Sequence, residues 1–70
     1  MNALDQAAND LTEDFRVRVI QYKAKHKITY NDMEKECELG INTINGFCCG
    51  GRTIPMKAMY KIHLATGIAL

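Results

Sequence analysis

Apolar residues recur every three or four positions along almost the whole of this 70-residue chain, and no stretch alternates with a period of two. Spacing of this kind places apolar side chains on one face of a helix, whereas a half-buried strand needs strict alternation. The sequence therefore predicts an all-α fold with no strand. In the first third of the chain, the predicted apolar face consists of Leu4, Ala8, Leu11, Phe15, Val19, Tyr22 and His26.

The start of the first helix has two interpretations. Asp10 and Glu13 have the spacing of an N-terminal capping pair, which predicts that the main helix begins near Leu11. Residues 1–10 are then an N-terminal arm or a short extra helix with Asn2 as its cap.

Three shorter helices are predicted to follow. Serine or threonine favours the cap position before a helix, glycine adopts the left-handed conformation that ends one, and proline suits the first position of the next. The second helix follows Thr29 and runs from Tyr30 to about Cys37, the third runs from about Ile41 to Cys49 and ends at Gly50–Gly51, and the fourth begins near Pro55 and ends at Gly67.

Spacing within these segments also predicts which side chains form the core. Met33 and Cys37 lie four residues apart, and Ile44 and Phe47 lie three apart. The fourth helix is expected to bury Ala58, Met59, Ile62 and Ala65.

Composition is that of a soluble globular protein with a single domain, since 47% of the residues are apolar and 24% are charged. A chain this short buries only about 60% of the surface that it exposes when unfolded, so a partner or a homodimer contact would stabilise it. No apolar run approaches the roughly 20 residues of a membrane span. Asp5 and Asp10 and the lack of a basic segment argue against a signal peptide, so we expect a cytoplasmic protein without membrane partners.

Three cysteines, two of them adjacent, make a poor disulfide framework and fit a reducing compartment. A zinc site built from Cys48, Cys49, His26 and His63 matches no usual ligand spacing, and we expect no metal and no other cofactor. The chain also shows no Ser/His/Asp set, paired carboxylates or phosphate loop, and a domain this small has little room for a pocket. We therefore expect a protein that is not an enzyme and has no small-molecule substrate.

Residues 28–47 have the pattern of a helix-turn-helix, in which two short helices joined by a tight turn follow a longer helix. Over roughly residues 19–68, the chain resembles the lambdoid Cro and phage-repressor family, also called XRE-like. This resemblance implies a small four- to five-helix bundle of the lambda-repressor type. The resemblance rests first on the run Ile28-Thr29-Tyr30-Asn31-Asp32-Met33-Glu34 and on the apolar residues Leu39, Ile44 and Phe47. It also rests on the helix boundaries at Gly50, Pro55 and Gly67 and on Val19, Tyr22 and Lys23 of the first helix.

Four positions depart from the family pattern. Glu34 stands where a small residue is usual, and Glu38 stands where glycine usually opens the turn. Lys23 and Cys48 occupy the positions of a buried Arg–Glu pair. We therefore expect a reshaped turn and no ion pair at that place.

The resemblance implies a small transcriptional regulator that binds double-stranded operator DNA, as in a phage or prophage lysis/lysogeny switch. In this family, the start of the third helix enters the major groove. Asparagine can bond adenine there, and an apolar side chain can meet a thymine methyl group. The residues matching the base-contacting positions are Ile41, Asn42, Thr43 and Asn45, and those expected to contact phosphate are Tyr30, Arg52, Thr53 and Lys57.

Charge favours a second interpretation. The net charge is only +1, and the third helix contains neither lysine nor arginine, whereas many small nucleic-acid binders are distinctly basic. The alternative is an antirepressor or modulator that uses the same fold to bind a phage repressor protein instead of DNA. Its predicted partner surface consists of Asp32, Glu34, Glu36 and Glu38.

A homodimer would suit operator half-sites about one helical turn apart. Two apolar regions are alternative contacts for it. One is the C-terminal end with Leu64, Ile68 and Leu70, and the other is the N-terminal stripe with Leu4 and Leu11.

Overall fold

The computed structural model describes residues 2–70, and within that range it contains four helices and no strand. The helices are α1 (Ala3–His26), α2 (Tyr30–Glu36), α3 (Thr43–Cys49) and α4 (Met56–Thr66). The all-α prediction is therefore confirmed. Met1, which belongs to the predicted N-terminal arm, lies outside the described residues. None of the four helices is both long enough and apolar enough to cross a membrane.

The first helix is continuous from Ala3, so the predicted start near Leu11 is wrong. Asn2 is the N-cap, as predicted for an early start, and its side-chain oxygen accepts the Asp5 N–H at 2.8 Å. Residues 3–14 contain no glycine or proline and include several good helix formers, so nothing interrupts the helix before Asp10 and Glu13. Both acidic residues lie inside α1.

The core lies at the C-terminal half of α1, where α3 packs against both α1 and α2. The predicted apolar face of α1 is only partly correct, because Phe15 and Val19 are buried while Leu4 and Leu11 are exposed. In α4, Ala65 is exposed, contrary to prediction. The core cluster consists of Phe15, Val19, Met33, Cys37, Ile44, Phe47, Ile62 and Ile68.

A capping box begins α2, as the position of Thr29 predicts. The Thr29 hydroxyl accepts the Asp32 N–H at 3.1 Å, and the Asp32 carboxylate accepts the Thr29 N–H at 3.3 Å. The helix ends at Glu36, one residue earlier than expected. Pro55 and Gly67 bound α4, in agreement with prediction.

The segment between α2 and α3 is bent by two residues in the left-handed conformation, Glu38 with φ 57° and Asn42 with φ 66°. Glu38 stands at the family's glycine position, and its backbone adopts the conformation for which glycine is usually needed. The bend delays the start of α3 until Thr43, two residues after the predicted Ile41. At the other end of α3, the left-handed residue is Gly51 and not Gly50.

Candidate nucleic-acid interface

A buried carboxylate sits at the N-terminus of α3. Glu34 is 2% exposed, and its oxygens accept the N–H groups of Asn42, Ile44 and Asn45 at 3.1, 2.9 and 3.0 Å. The first N–H groups of a helix have no partner within the helix, and the N-cap Asn42 provides no side-chain bond. Glu34 of α2 therefore caps α3 from outside.

This arrangement corrects the prediction that Glu34 belongs to an exposed acidic surface. A carboxylate is stabilised at a helix N-terminus by the helix dipole and by charge-assisted hydrogen bonds, so the charge is accommodated inside the protein. The same position explains the departure from the family pattern, because a small side chain there would not reach the N–H groups of α3. Glu34 thus links α2 to α3 and helps to orient α3.

A basic side chain holds the opposite end of α3. The Arg16 Nε donates to the backbone oxygen of Phe47 at 2.7 Å. This places a cation near the C-terminus of α3, where the helix dipole favours positive charge. Its guanidinium carbon lies 4.6 Å from the centre of the Phe47 ring, and the side chain also pairs with Glu13. The sequence does not indicate this role of Arg16, because its partner is a backbone oxygen 31 residues away.

The outer face of α3 and the loop after it form a polar groove of about 330 Å³. The groove brings together Asn42 and Asn45, predicted to contact bases, with Arg52, predicted to contact phosphate. The residues that line it are Asn42, Asn45, Gly46, Cys49, Gly50 and Arg52. Two amides and a guanidinium on one surface provide donors and acceptors for base edges beside a cation for phosphate.

The other predicted base-contacting residues are placed differently. Ile41 lies in the turn before α3 and is 84% exposed. Thr43 is the first residue of α3 and is half-buried. Neither residue lines the polar groove. Of the predicted DNA-contacting residues, the groove therefore brings together the two asparagines and Arg52.

Arg52 is positioned by the absence of a side chain on α3. Its backbone N–H donates to the Gly46 oxygen at 3.1 Å, and its side chain passes across Gly46. A Cβ atom at Gly46 would lie only 3.2 Å from the Arg52 Cδ, which is tighter than ordinary van der Waals contact. Gly46 thus allows the Arg52 side chain to lie against α3 and beside Asn45.

Tyr30 occupies the space where the family pattern places a buried ion pair. The Lys23 Nζ lies 4.9 Å from the centre of the Tyr30 ring, in the range of a cation–π contact. Burial, followed by the neighbouring thiols of Cys48 and Cys49, raises the pKa of Tyr30 to about 12. The phenol therefore keeps its proton to a higher pH than an ordinary tyrosine does.

Two of the three cysteines, Cys37 and Cys48, are wholly or partly buried, and burial raises the pKa of both thiols. Burial and, next, the neighbouring Cys49 raise the pKa of the Cys48 thiol to about 11, whereas reactive cysteines have lowered pKa values. Within residues 2–70, no three His, Cys, Asp or Glu side chains are grouped so that they could hold a metal ion. Of the two histidines considered as zinc ligands, His26 has its ring against that of Tyr22, and His63 is hydrogen-bonded to the Ile68 oxygen.

The remaining predicted residues are on the surface. Thr53 and Lys57 are exposed between α3 and the first turn of α4. Glu36 and Glu38 are exposed, while Asp32, also exposed, is engaged in the capping box. The acidic surface near α2 is therefore smaller than the sequence predicts.

No protein-family model, curated protein or solved structure matched this chain in the comparisons made.

Proposed function

We propose that this chain is a small transcriptional regulator that binds operator DNA with α3 and the turn before it, in the manner of the Cro and phage-repressor family that its sequence resembles. The observation that carries this proposal is the polar groove, in which Asn42, Asn45 and Arg52 share one surface. A role in a phage or prophage lysis/lysogeny switch belongs to the same proposal, and its support is the resemblance alone.

The polar side chains of the groove, together with Ile41 and Tyr30 outside it, have chemical roles in this proposal. Asn42 and Asn45 pair with adenine edges through their amides, and Ile41 contacts a thymine methyl group. Arg52 and the neutral hydroxyl of Tyr30 contact phosphate oxygens, which position the protein without reading sequence. Since α3 is held at one end by Glu34 and at the other by Arg16, these side chains start from a fixed helix.

The burial of Glu34 removes part of the electrostatic objection to DNA binding. Its charge is balanced by three N–H groups at the start of α3, those of the N-cap Asn42 and of Ile44 and Asn45, and we expect it not to face a docked phosphate backbone. The predicted acidic surface therefore contains three exposed carboxylates instead of four. One of the three, Asp32, accepts the N–H of Thr29, the N-cap of its own helix.

Selection from a random double-stranded oligonucleotide library, followed by anisotropy titrations across a salt series, tests the proposal. We expect Asn45→Ala to reduce the preference for the selected site by about tenfold or more, since a good bidentate pair contributes about 1–3 kcal/mol of discrimination. Arg52→Gln should weaken binding to all sequences alike and lower the salt slope by about 0.9.

Gln21→Ala and Lys25→Gln are the matched controls, because both residues are exposed on α1 and lie outside the groove. They should leave both quantities near the wild-type values. Absence of binding to any DNA at low salt would overturn the proposal.

A second candidate function is the binding of a repressor protein. Ile41 is 84% exposed, and Glu38, three residues before it in the segment between α2 and α3, is also exposed. An apolar and an acidic side chain in one exposed segment suit a protein partner with an apolar and basic surface. A stoichiometric complex with a phage repressor that Ile41→Ser abolishes, together with absence of DNA binding, would favour this candidate.

A further inference from the structure

Asn42 occupies the N-cap position of α3 but does not cap the helix. An asparagine at this position normally has extended backbone, and its side-chain oxygen accepts an N–H from the first turn. Asn2 and Thr29 cap α1 and α2 in this way. Asn42 instead has left-handed backbone, with φ 66° and ψ 8°, and makes no side-chain capping bond. The helix that Asn42 begins therefore does not use its side-chain amide.

Glu34 makes the bonds that a capping asparagine would make. A capping side chain accepts the N–H of the second or third helical residue, and in α3 these residues are Ile44 and Asn45. One carboxylate oxygen of Glu34, Oε2, accepts both N–H groups, at 2.9 and 3.0 Å. A carboxylate from α2 thus takes the place of the Asn42 side-chain oxygen.

The second carboxylate oxygen of Glu34 bonds to the backbone of Asn42. This oxygen, Oε1, accepts the Asn42 N–H at 3.1 Å. Left-handed backbone is unfavourable for residues other than glycine, although asparagine tolerates it better than most, and it persists where surrounding contacts hold it. Glu34 is buried and Asn42 is exposed. The backbone of Asn42 is therefore held from inside the protein while its side chain stays accessible.

Capping and base recognition compete for the same atom of Asn42. Capping engages the side-chain oxygen with the first turn of α3. Recognition of adenine needs this oxygen as the acceptor for the N6 amino group, while the side-chain nitrogen donates to N7. Asn42 lines the polar groove with Asn45 and Arg52. Release from capping thus suits the Asn42 amide to a base edge in that groove.

We propose that Glu34 is a positioning residue for base recognition: it caps α3 in place of Asn42 and so leaves the Asn42 amide free to read a base. This inference rests on the proposed function, since it requires DNA as the ligand of the polar groove. Loss of the carboxylate should return Asn42 to the capping role and remove its base contact. The sequence preference of the protein then depends on a buried side chain that touches no DNA.

Nuclear magnetic resonance of the full chain without DNA tests the exchange of capping residues, because backbone scalar couplings distinguish left-handed from extended residues. We expect Asn42 to be left-handed in the wild type and extended in Glu34→Ala. Lys35→Ala, whose site is exposed beside Glu34 on α2, should leave Asn42 left-handed. The measurements are made in trimethylamine N-oxide, which favours the folded state and so offsets the loss of the buried carboxylate.

Binding to the selected site, and to versions of it changed at single base pairs, tests the consequence for recognition. Asn42→Gly suits the left-handed backbone but lacks the amide, so it should reduce discrimination at one base pair by about tenfold or more. Glu34→Ala should reduce discrimination at the same base pair, and the double variant should lose no more there than Asn42→Gly alone. A purely structural effect of Glu34 would weaken binding to all sequences alike.

Lys27→Gly is the matched control for Asn42→Gly, since Lys27 is the exposed left-handed residue at the end of α1, with φ 53°. It should leave discrimination between base pairs unchanged. Asn42→Gly retains the Glu34 carboxylate, so it tests base reading by Asn42 whether or not Glu34→Ala folds.

Left-handed backbone retained at Asn42 in Glu34→Ala would overturn the inference, as would full discrimination in Asn42→Gly or in Glu34→Ala. Failure of the proposed function gives a different result. A wild-type chain that binds no DNA at low salt overturns the proposed function, whereas specific binding with undiminished discrimination in Glu34→Ala overturns only the role of Glu34.

Discussion

At the scale of single residues, the feature that most affects the candidate site is Glu34. It bonds to three N–H groups that no other side chain caps. The position is unusual in sequence, because a small residue is expected there, but the neighbouring acidic residues predict a carboxylate on the surface. The reason is physical: a glutamate with partners eight to eleven residues away looks the same in sequence as one facing solvent.

Replacing this carboxylate should destabilise the protein. In Glu34→Gln, the amide NH₂ group faces backbone donors that it cannot satisfy, and unpaired buried groups cost about 1–3 kcal/mol each. We expect a decrease of at least about 1 kcal/mol in the free energy of unfolding, measured by urea denaturation. Glu36→Gln is the control, because Glu36 is exposed on the same helix and should change stability little. Equal stability of the two variants would contradict the capping role.

Tyr30 makes stability sensitive to alkaline pH. Its pKa is raised from 10.0 to about 12 in the folded protein, so the folded state holds the phenolic proton more tightly than the unfolded state. The resulting stabilisation is fully present below pH 10 and is lost as the pH rises through about 12.

Denaturation profiles between pH 8 and 12, recorded in a reducing buffer, measure this effect. We expect Tyr30→Phe to lose less stability over that range than the wild type. Tyr60→Phe, whose ring is 51% exposed, should follow the wild-type profile. A wild-type profile retained in Tyr30→Phe would show that another group causes the loss.

At the scale of elements, helix ends were predictable where local residues set them. Thr29, Pro55 and Gly67 each act within a few residues of their own position, and the structure places helix boundaries at all three. The predicted start of α1 is wrong because the spacing of Asp10 and Glu13 suits a capping pair, whereas both residues lie inside a helix that begins at Ala3. The start of α3 depends on Glu34, which acts from another helix.

Gly46 makes α3 less stable than alanine would, but it leaves room for the Arg52 side chain. Gly46→Ala should raise the free energy of unfolding by up to about 1 kcal/mol, because alanine is a much better helix former than glycine. The new methyl group would displace the flexible Arg52 side chain, whose Cδ lies 3.2 Å from the Cβ position. We therefore expect a more stable protein with weaker, less salt-dependent DNA binding, measured by urea denaturation and anisotropy. A variant that binds DNA as tightly as the wild type would show that the position of Arg52 is unimportant.

At the scale of the whole molecule, the N-terminal part of α1 contributes little to the stability of the core. All core residues lie between Phe15 and Ile68, so residues 2–9 contribute little to the folded monomer. Periodicity alone could not reveal this, because the apolar stripe of α1 continues without change from the exposed part into the core.

Deletion of residues 2–9 should therefore leave the core folded. The shortened chain retains Asp10 and Glu13, whose spacing suits a new N-terminal capping pair, so α1 can begin there with its dipole still compensated. We expect a urea midpoint close to that of the wild-type chain when both are measured as monomers, with a smaller helical signal in circular dichroism. A loss of cooperative unfolding would instead mean that the N-terminal segment is part of the folding unit.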